Sequence, residues 1–283
     1  MHLRLSAGLD LDLALFGLLG PGQPDLQDPV LVAGWPGMGL VAFRAVSYLL
    51  ESLDIEPLAE FEPLDIYPLR SVAIEEGVIE SARLPHAKAY HHQARGSNRD
   101  LVIFLGEEQP VAGAEWRLSN EILELASGLG VRDVFTFAAM VTHIDHKTHP
   151  RVWGCATRAE LTKNLESAEV AIMQEGQVSG LNGVLLGVAR HKGMNGYCLL
   201  GELPYYLTQV AYPRASCAVL EAFCQLVGTE IDLSELRALG LATLAEIDTY
   251  FEQIKSEVEE KEGHVPPFSE EPDEEDEGEG MLN

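Results

Sequence analysis

The chain has 283 residues, 46% of them hydrophobic, a mean hydropathy near zero (+0.02) and a formal net charge of −26. That length accommodates one large domain or two small ones with a substantial core, and the composition is that of a soluble globular protein. The charge argues against a nucleic-acid partner: residues 257–279 carry 12 acids and one base, and outside them 33 acids still face 18 bases, with no basic stripe anywhere.

The apolar segment after Gly8, LDLDLALFGLLG, is interrupted by Asp10 and Asp12 and has no basic stretch before it, so it does not read as a signal peptide. No run of about 18 apolar residues occurs, so no membrane span is expected and the cytoplasm is the expected compartment. Residues 31–43, LVAGWPGMGLVAF, are the most informative segment. An apolar run meets a glycine-rich turn and then an apolar helix, an arrangement that presents backbone N–H groups at a helix N-terminus.

Strand-like runs follow at Val30–Ala33, Leu101–Leu105, Val134–Phe137, Val152–Ala156 and Gly196–Leu200. Between them, helical spacing places Phe43, Val46, Leu50 and Leu53 on one face. The same spacing groups Leu118, Ile122, Leu125 and Leu129, then Leu181, Leu185 and Val188, then Val219, Phe223 and Leu226. Strands without strict alternation, separated by helices, predict a mostly parallel sheet covered on both faces, a three-layer α/β/α core over residues 1–231. From Glu56 to Asp100 the pattern weakens into short strands and loops. Residues 232–263 read as a C-terminal helical segment, capped by Asp232 with Glu235 three residues on, and carrying Leu244, Ile247, Phe251, Ile254 and Val258 at 3-4-3-4 spacing. Residues 264–283 read as a disordered acidic tail.

Four loops stand at the expected C-terminal ends of strands, where open α/β sheets bind ligands. They are Gly34–Gly39, Gly106–Pro110, Ser179–Gly183 (which opens a helix) and Gly201–Tyr206. The binding candidates they supply are Gly37, Gly39, Glu107, Gln109, Asn182, Gly183, Glu202 and Tyr205. Backbone donors, two amides, a phenol and two carboxylates suit a neutral polar ligand or a protein partner. They suit acid–base chemistry only if burial raises a carboxylate pKa, and no residue is assigned a catalytic role. Gly-x-x-Gly-x-Gly is not the dinucleotide fingerprint, and no Lys-Ser/Thr follows the glycines, so no nucleotide cofactor is expected. His143, His146, His149 and Asp145 are ligand-type residues, but spacing of this kind in a loop ending at Pro150 does not aim the rings at one point, and no metal is expected. Cys155, Cys198, Cys217 and Cys224 form no CxxC pair and read as free thiols.

Taken in order, Gly-Trp-Pro-Gly-Met-Gly, Gly-Glu-x-Gln-Pro, Ser-Gly-Leu-Asn-Gly and Leu-Leu-Gly-Glu-x-Pro-Tyr-Tyr, followed by Pro213 and Ala-x-Val-Leu-Glu, resemble the proteasome assembly chaperone 2 family over roughly residues 30–236. That family also carries an ATP-grasp superfamily label, for which this chain lacks the basic residues a triphosphate needs, Arg44 alone lying near the first loop. The resemblance implies a fold similar to purine nucleoside phosphorylases and related hydrolases, homo-oligomers, and chaperone-like binding to proteasome subunits. Archaeal relatives that dock on the proteasome end in a hydrophobic–Tyr–any tripeptide. Here the last residues are Met281-Leu282-Asn283, so docking by that route is not expected. The leading expectation is a non-catalytic assembly protein. The alternative is an enzyme or binder of a small nucleoside-, amide- or amino-acid-like metabolite at the four-loop cleft.

Overall fold

The computed structural model describes residues 24–61, 66–67, 72–94 and 98–262. The N-terminal apolar segment and the acidic tail lie outside the described residues. Two compact units are distinguished, Met1–Leu244 and Ala245–Asn283.

In the first unit the described strands are β1 (Val30–Gly34), β2 (Glu56–Glu60), β3 (Ile74–Glu75), β4 (Val78–Ile79), β5 (Ala87–His92), β6 (Leu101–Gly106), β7 (Asp133–Thr142), β8 (Val152–Ala156), β9 (Ala171–Ile172) and β10 (Asn195–Pro204). The helices are α1 (Val41–Ser52), α2 (Glu115–Gly128), α3 (Thr162–Ser167), α4 (Leu181–His191), α5 (Pro213–Val227) and α6 (Ser234–Glu262), the last running on into the second unit.

Eight strands form one sheet in the order β2-β5-β6-β1-β7-β10-β8-β9, and β3–β4 is a separate hairpin. The central four, β6-β1-β7-β10, are mutually parallel, whereas β5 and β8 pair antiparallel to their inner neighbours. β1 is buried along its whole length, as an unalternating Val-Leu-Val-Ala run requires when helices cover both faces. α2 and α4 pack together over one face, and their Leu118, Ile122, Leu125, Leu181 and Leu185 enter the same core as Leu31 and Leu200. α1 and α5 cover the other face, where Phe223 meets Phe135 and Phe137 edge-on. The expected α/β/α layering is present.

Two expectations need correction. The inward face of α1 is Val41, Ala42, Ala45, Val46 and Leu49, not Phe43, Leu50 and Leu53. Small residues are chosen there because Gly34 and the helix approach so closely that a Cβ on Gly34 would stand 2.9 Å from the Ala42 carbonyl. Second, β7 and β10 are ten residues each, twice the length of β1, so Gly201–Pro204 is strand rather than loop. Ala138-Ala139 and Gly201-Glu202 have weak strand propensity, but unbroken pairing from Asn195↔Asp133 to Pro204↔Thr142 overrides it. Beyond the end of β1 these two strands continue as a ledge roughly 20 Å long.

α6 begins at Ser234, two residues after the expected cap, and Asp232 Oδ1 accepts the Ser234 N–H at 2.9 Å, a hydrogen bond that holds its pKa down. In the second unit, Phe251, Ile254 and Val258 of the apolar seam are exposed.

Candidate functional site

β1 is the topological switch point of the sheet. It lies between β6 and β7, and the helices that follow β1 and β6 cover opposite faces. A crevice forms outside the strand ends at such a place. Here it is built from three of the four predicted loops, Gly34–Gly39, Gly106–Pro110 and Ser179–Gly183, while most of the fourth is part of β10.

The loop after β1 is fixed first. Trp35 is fully buried against Phe104, ring centroids 5.1 Å apart, and its indole lies so close to Gly106 that a Cβ there would stand 2.2 Å from Nε1. Gly39 has φ +61, and a Cβ on it would meet Leu203 of β10 at 2.9 Å. Its N–H donates to the Thr208 carbonyl and its own carbonyl accepts the Tyr212 N–H. Glycine is required there both by conformation and by space. The neighbouring Leu40 also adopts φ +50, an uncommon conformation for a residue with a Cβ.

Two amide side chains then lock three loops together. Gln109 Nε2 donates to the Pro36 carbonyl at 2.8 Å, while Gln109 Oε1 accepts the Leu181 N–H at 3.0 Å, capping α4 from 72 positions away in sequence. Asn182, in the first turn of α4 and buried, accepts the Trp35 N–H on Oδ1 at 3.2 Å. Gly180, at φ +69, lies against the Gln109 amide, and a Cβ on Gly183 would stand 2.0 Å from the Val178 carbonyl. Between these loops and the β7–β10 ledge lies an open cavity of about 300 Å3. Gly37, Met38, Gln109, Ser179, Gly180 and Asn182 line it, over a floor of Ala138, Ala139 and Leu200.

Neither candidate carboxylate is among the described lining residues. Glu107 turns toward β5: Oε2 accepts the His86 N–H at 3.0 Å and Oε1 pairs with Arg83 at 3.5 Å. Glu202 is 1% exposed. Its carboxylate accepts hydrogen bonds from the Arg151 N–H, the Arg151 guanidinium and Trp153 Nε1 at 3.0–3.3 Å. Burial alone would raise its pKa, but the hydrogen bonds from Arg151 and Trp153 outweigh that and hold it below the usual glutamate range. An ionised, fully engaged carboxylate is a structural anchor, not a proton donor.

Tyr205 begins a 3-10 turn after β10 and is 56% exposed, its ring 5.0 Å from that of His143. His146 is buried: its backbone N–H donates to Tyr206 Oη, its Nδ1 pairs with the same oxygen at 2.8 Å, and its carbonyl accepts from Tyr212 and Arg214. His149 Nδ1 pairs with the Pro150 carbonyl. Among the described residues, no group of three or more His, Cys, Asp or Glu could hold a metal ion, and no helix is long and apolar enough to cross a membrane.

One further feature is not legible in the sequence as a group, Tyr205 alone being among the predicted candidates. Met38, Leu40, Val141, Tyr205 and Val210 are large apolar side chains, each 38–56% exposed. Val141 is paired with Leu203 in the ledge, Leu203 touches Gly39, and Gly39 is tied to Thr208, so the segments carrying them adjoin. Nothing in hydropathy distinguishes these residues from core ones.

The PAC2 family profile matches residues 31–249. The Methanocaldococcus jannaschii protein MJ1210 is 30% identical over 253 residues, covering 87% of this chain and 91% of its own. The crystal structure of Pyrococcus furiosus PbaB, an archaeal proteasome activator, superimposes with a TM-score of 0.69 at 27% identity, covering 82% of this chain and 96% of that one. P. furiosus PbaA, an archaeal homolog of proteasome-assembly chaperone, gives 0.62 at 25%, covering 83% and 96%. By sequence and by fold, the chain belongs to the PAC2 family.

Proposed function

We propose that the protein is a non-catalytic, chaperone-like assembly protein that acts in the cytoplasm by binding protein subunits, proteasome-related ones among them, and by associating with copies of itself. The apolar rim of Met38, Leu40, Val141, Tyr205 and Val210 carries this reading. Exposed side chains of this kind, held on loops locked by internal hydrogen bonds, supply a preorganised apolar centre for a protein interface. The partner class is supported by kinship with PbaB, an archaeal proteasome activator, and PbaA, an archaeal homolog of proteasome-assembly chaperone. On this reading Met38, Leu40 and Tyr205 touch the partner. Gly37, Gly39, Gln109, Asn182 and Gly183 hold the loops in register, and Glu107 and Glu202 fix the flanks.

Affinity capture of the native protein with cross-linking, alongside light scattering on the purified chain, tests this. Self-association together with cross-links from the rim to a proteasome-related subunit is expected. A monomer that recovers no partner would overturn it.

A second reading rests on the cavity of about 300 Å3, whose amide, hydroxyl and backbone lining suits a small neutral polar metabolite. Thermal-shift screening against nucleosides, amides and amino acids tests it, and a flat response removes it.

A further inference from the structure

β8 and β10 run antiparallel with Cys155 directly opposite Cys198. The phase of the ladder follows from its two ends. Thr157 N–H donates to the Gly196 carbonyl, and Glu202 N–H donates to the Arg151 carbonyl. Hydrogen-bonded and non-hydrogen-bonded pairs alternate, so 196/157, 198/155, 200/153 and 202/151 are all hydrogen-bonded pairs. Opposed residues in such a pair have Cα atoms about 5.5 Å apart, inside the range that a disulfide spans. Directly paired residues send their side chains to the same face of the sheet, so the two thiols face each other. Cys198 is fully buried in the core shared with α2 and α4. Cys155 packs against that core but keeps partial exposure, which gives a reagent one way in.

The other two cysteines differ. Cys217 and Cys224 lie on α5, and burial pushes their thiols up to about 12 and about 11. At Cys155 the hydrogen bond with the neighbouring Cys198 thiol outweighs burial and lowers the pKa, which favours the thiolate there.

We infer that Cys155 and Cys198 form an oxidation site, a reversible dithiol–disulfide couple across β8 and β10 that responds to hydroperoxides. The Cys155 thiolate attacks the terminal peroxide oxygen and the O–O bond breaks. The alkoxide, or hydroxide from hydrogen peroxide itself, leaves and takes a proton, and Cys155 becomes a sulfenic acid. The Cys198 sulfur then attacks the Cys155 sulfur, forming the S–S bond and expelling water with the Cys198 proton. Two electrons pass from the sulfurs to the peroxide, and two equivalents of a small thiol reverse the process.

The test uses the full chain in its native state at pH 7: hydrogen peroxide in small excess, quenching by N-ethylmaleimide, then digestion without reduction. Trypsin cuts after Arg158 and Lys192, separating the two cysteines. The expected product is a linked peptide pair, two hydrogens lighter than the dithiol, abolished by dithiothreitol, with Cys217 and Cys224 recovered alkylated. In Cys198→Ala, dimedone should trap Cys155 as its sulfenic acid. In untreated protein, iodoacetamide should label Cys155 more than about tenfold faster than either α5 cysteine. The wild-type measurement stands even if the variant fails to fold. Cys155 remaining a thiol, or oxidising to sulfinic acid with no linked peptide, overturns the inference.

Discussion

Replacing Gln109 by alanine removes one of the two amide side chains, the other being Asn182, that tie the loop after β1 to the start of α4. It deletes hydrogen bonds of 2.8 and 3.0 Å and strands the Pro36 carbonyl and the Leu181 N–H in a partly buried place. A hydrogen bond contributes about 1 kcal/mol net, and a buried group left unpaired costs about 1–3 kcal/mol. The rim cavity admits water to both groups, so the lower end applies and the total loss is about 2 kcal/mol. For a domain of this size 1 kcal/mol shifts Tm by roughly 2–4 °C, so Gln109→Ala should melt roughly 4–8 °C below wild type. Urea titration should lower the midpoint at constant slope, since the surface exposed on unfolding hardly changes. Gln109→Glu supplies the control. It keeps an acceptor for Leu181 but turns a second acceptor toward the Pro36 carbonyl, so it should fall between wild type and alanine only if both bonds contribute. A loss under about 0.5 kcal/mol for Gln109→Ala would refute the idea that this amide is a structural clip, and would return it to the set of groups available to a ligand.

Gly39→Ala forces a Cβ into a left-handed backbone and against Leu203, and should cost about 2 kcal/mol in a denaturation curve. Tyr205→Ala should leave stability within about 0.5 kcal/mol because the ring is mostly exposed, while weakening partner or self-association about tenfold or more in a sedimentation or binding titration. Glu202 has a folded-state pKa below its unfolded value, so its contribution is complete above the ordinary glutamate range and is lost as pH falls through the depressed value. Glu202→Gln should therefore lower Tm near neutrality and flatten the acid side of the Tm–pH curve; identical acid limbs in variant and wild type would contradict that assignment.

The parallel core was readable because its strands are unalternating apolar runs, and β1, β6 and β10 are each followed by a helix with an apolar stripe. Leu118, Ile122, Leu125 and Leu129 lie inward as their spacing requires. The position of the loops was readable as well, since glycines cluster where a strand hands over to a helix. What the side chains do there was not. Glu107 and Glu202 look alike in sequence, each following a glycine near a strand end. One faces His86 and Arg83, and the other is enclosed by Arg151 and Trp153, partners 51 and 49 positions away. The length of β7 and β10 was hidden for a similar reason, because each strand's second half exists through its pairing with the other. The inward face of α1 is not legible from helical spacing alone, because close approach to Gly34 rewards the small Ala42 and Ala45 over Phe43 and Leu50.

The contrast between amides and apolar side chains at the rim bears on which reading of the site is stronger. Gln109 offers a donor and an acceptor, and both go to the protein's own backbone; Asn182 gives its oxygen to Trp35 in the same way. A ligand that needed those groups would first have to break bonds that hold the cavity open, losing part of its binding energy in doing so. The exposed methionine, leucine, valines and tyrosine beside them have no such internal use. Covering them removes apolar area from water at about 25 cal/mol per Å2 without sacrificing any bond within the chain. On the proposed reading, the same polar locking that occupies the cavity's amides holds the adjoining apolar side chains ready for a protein partner.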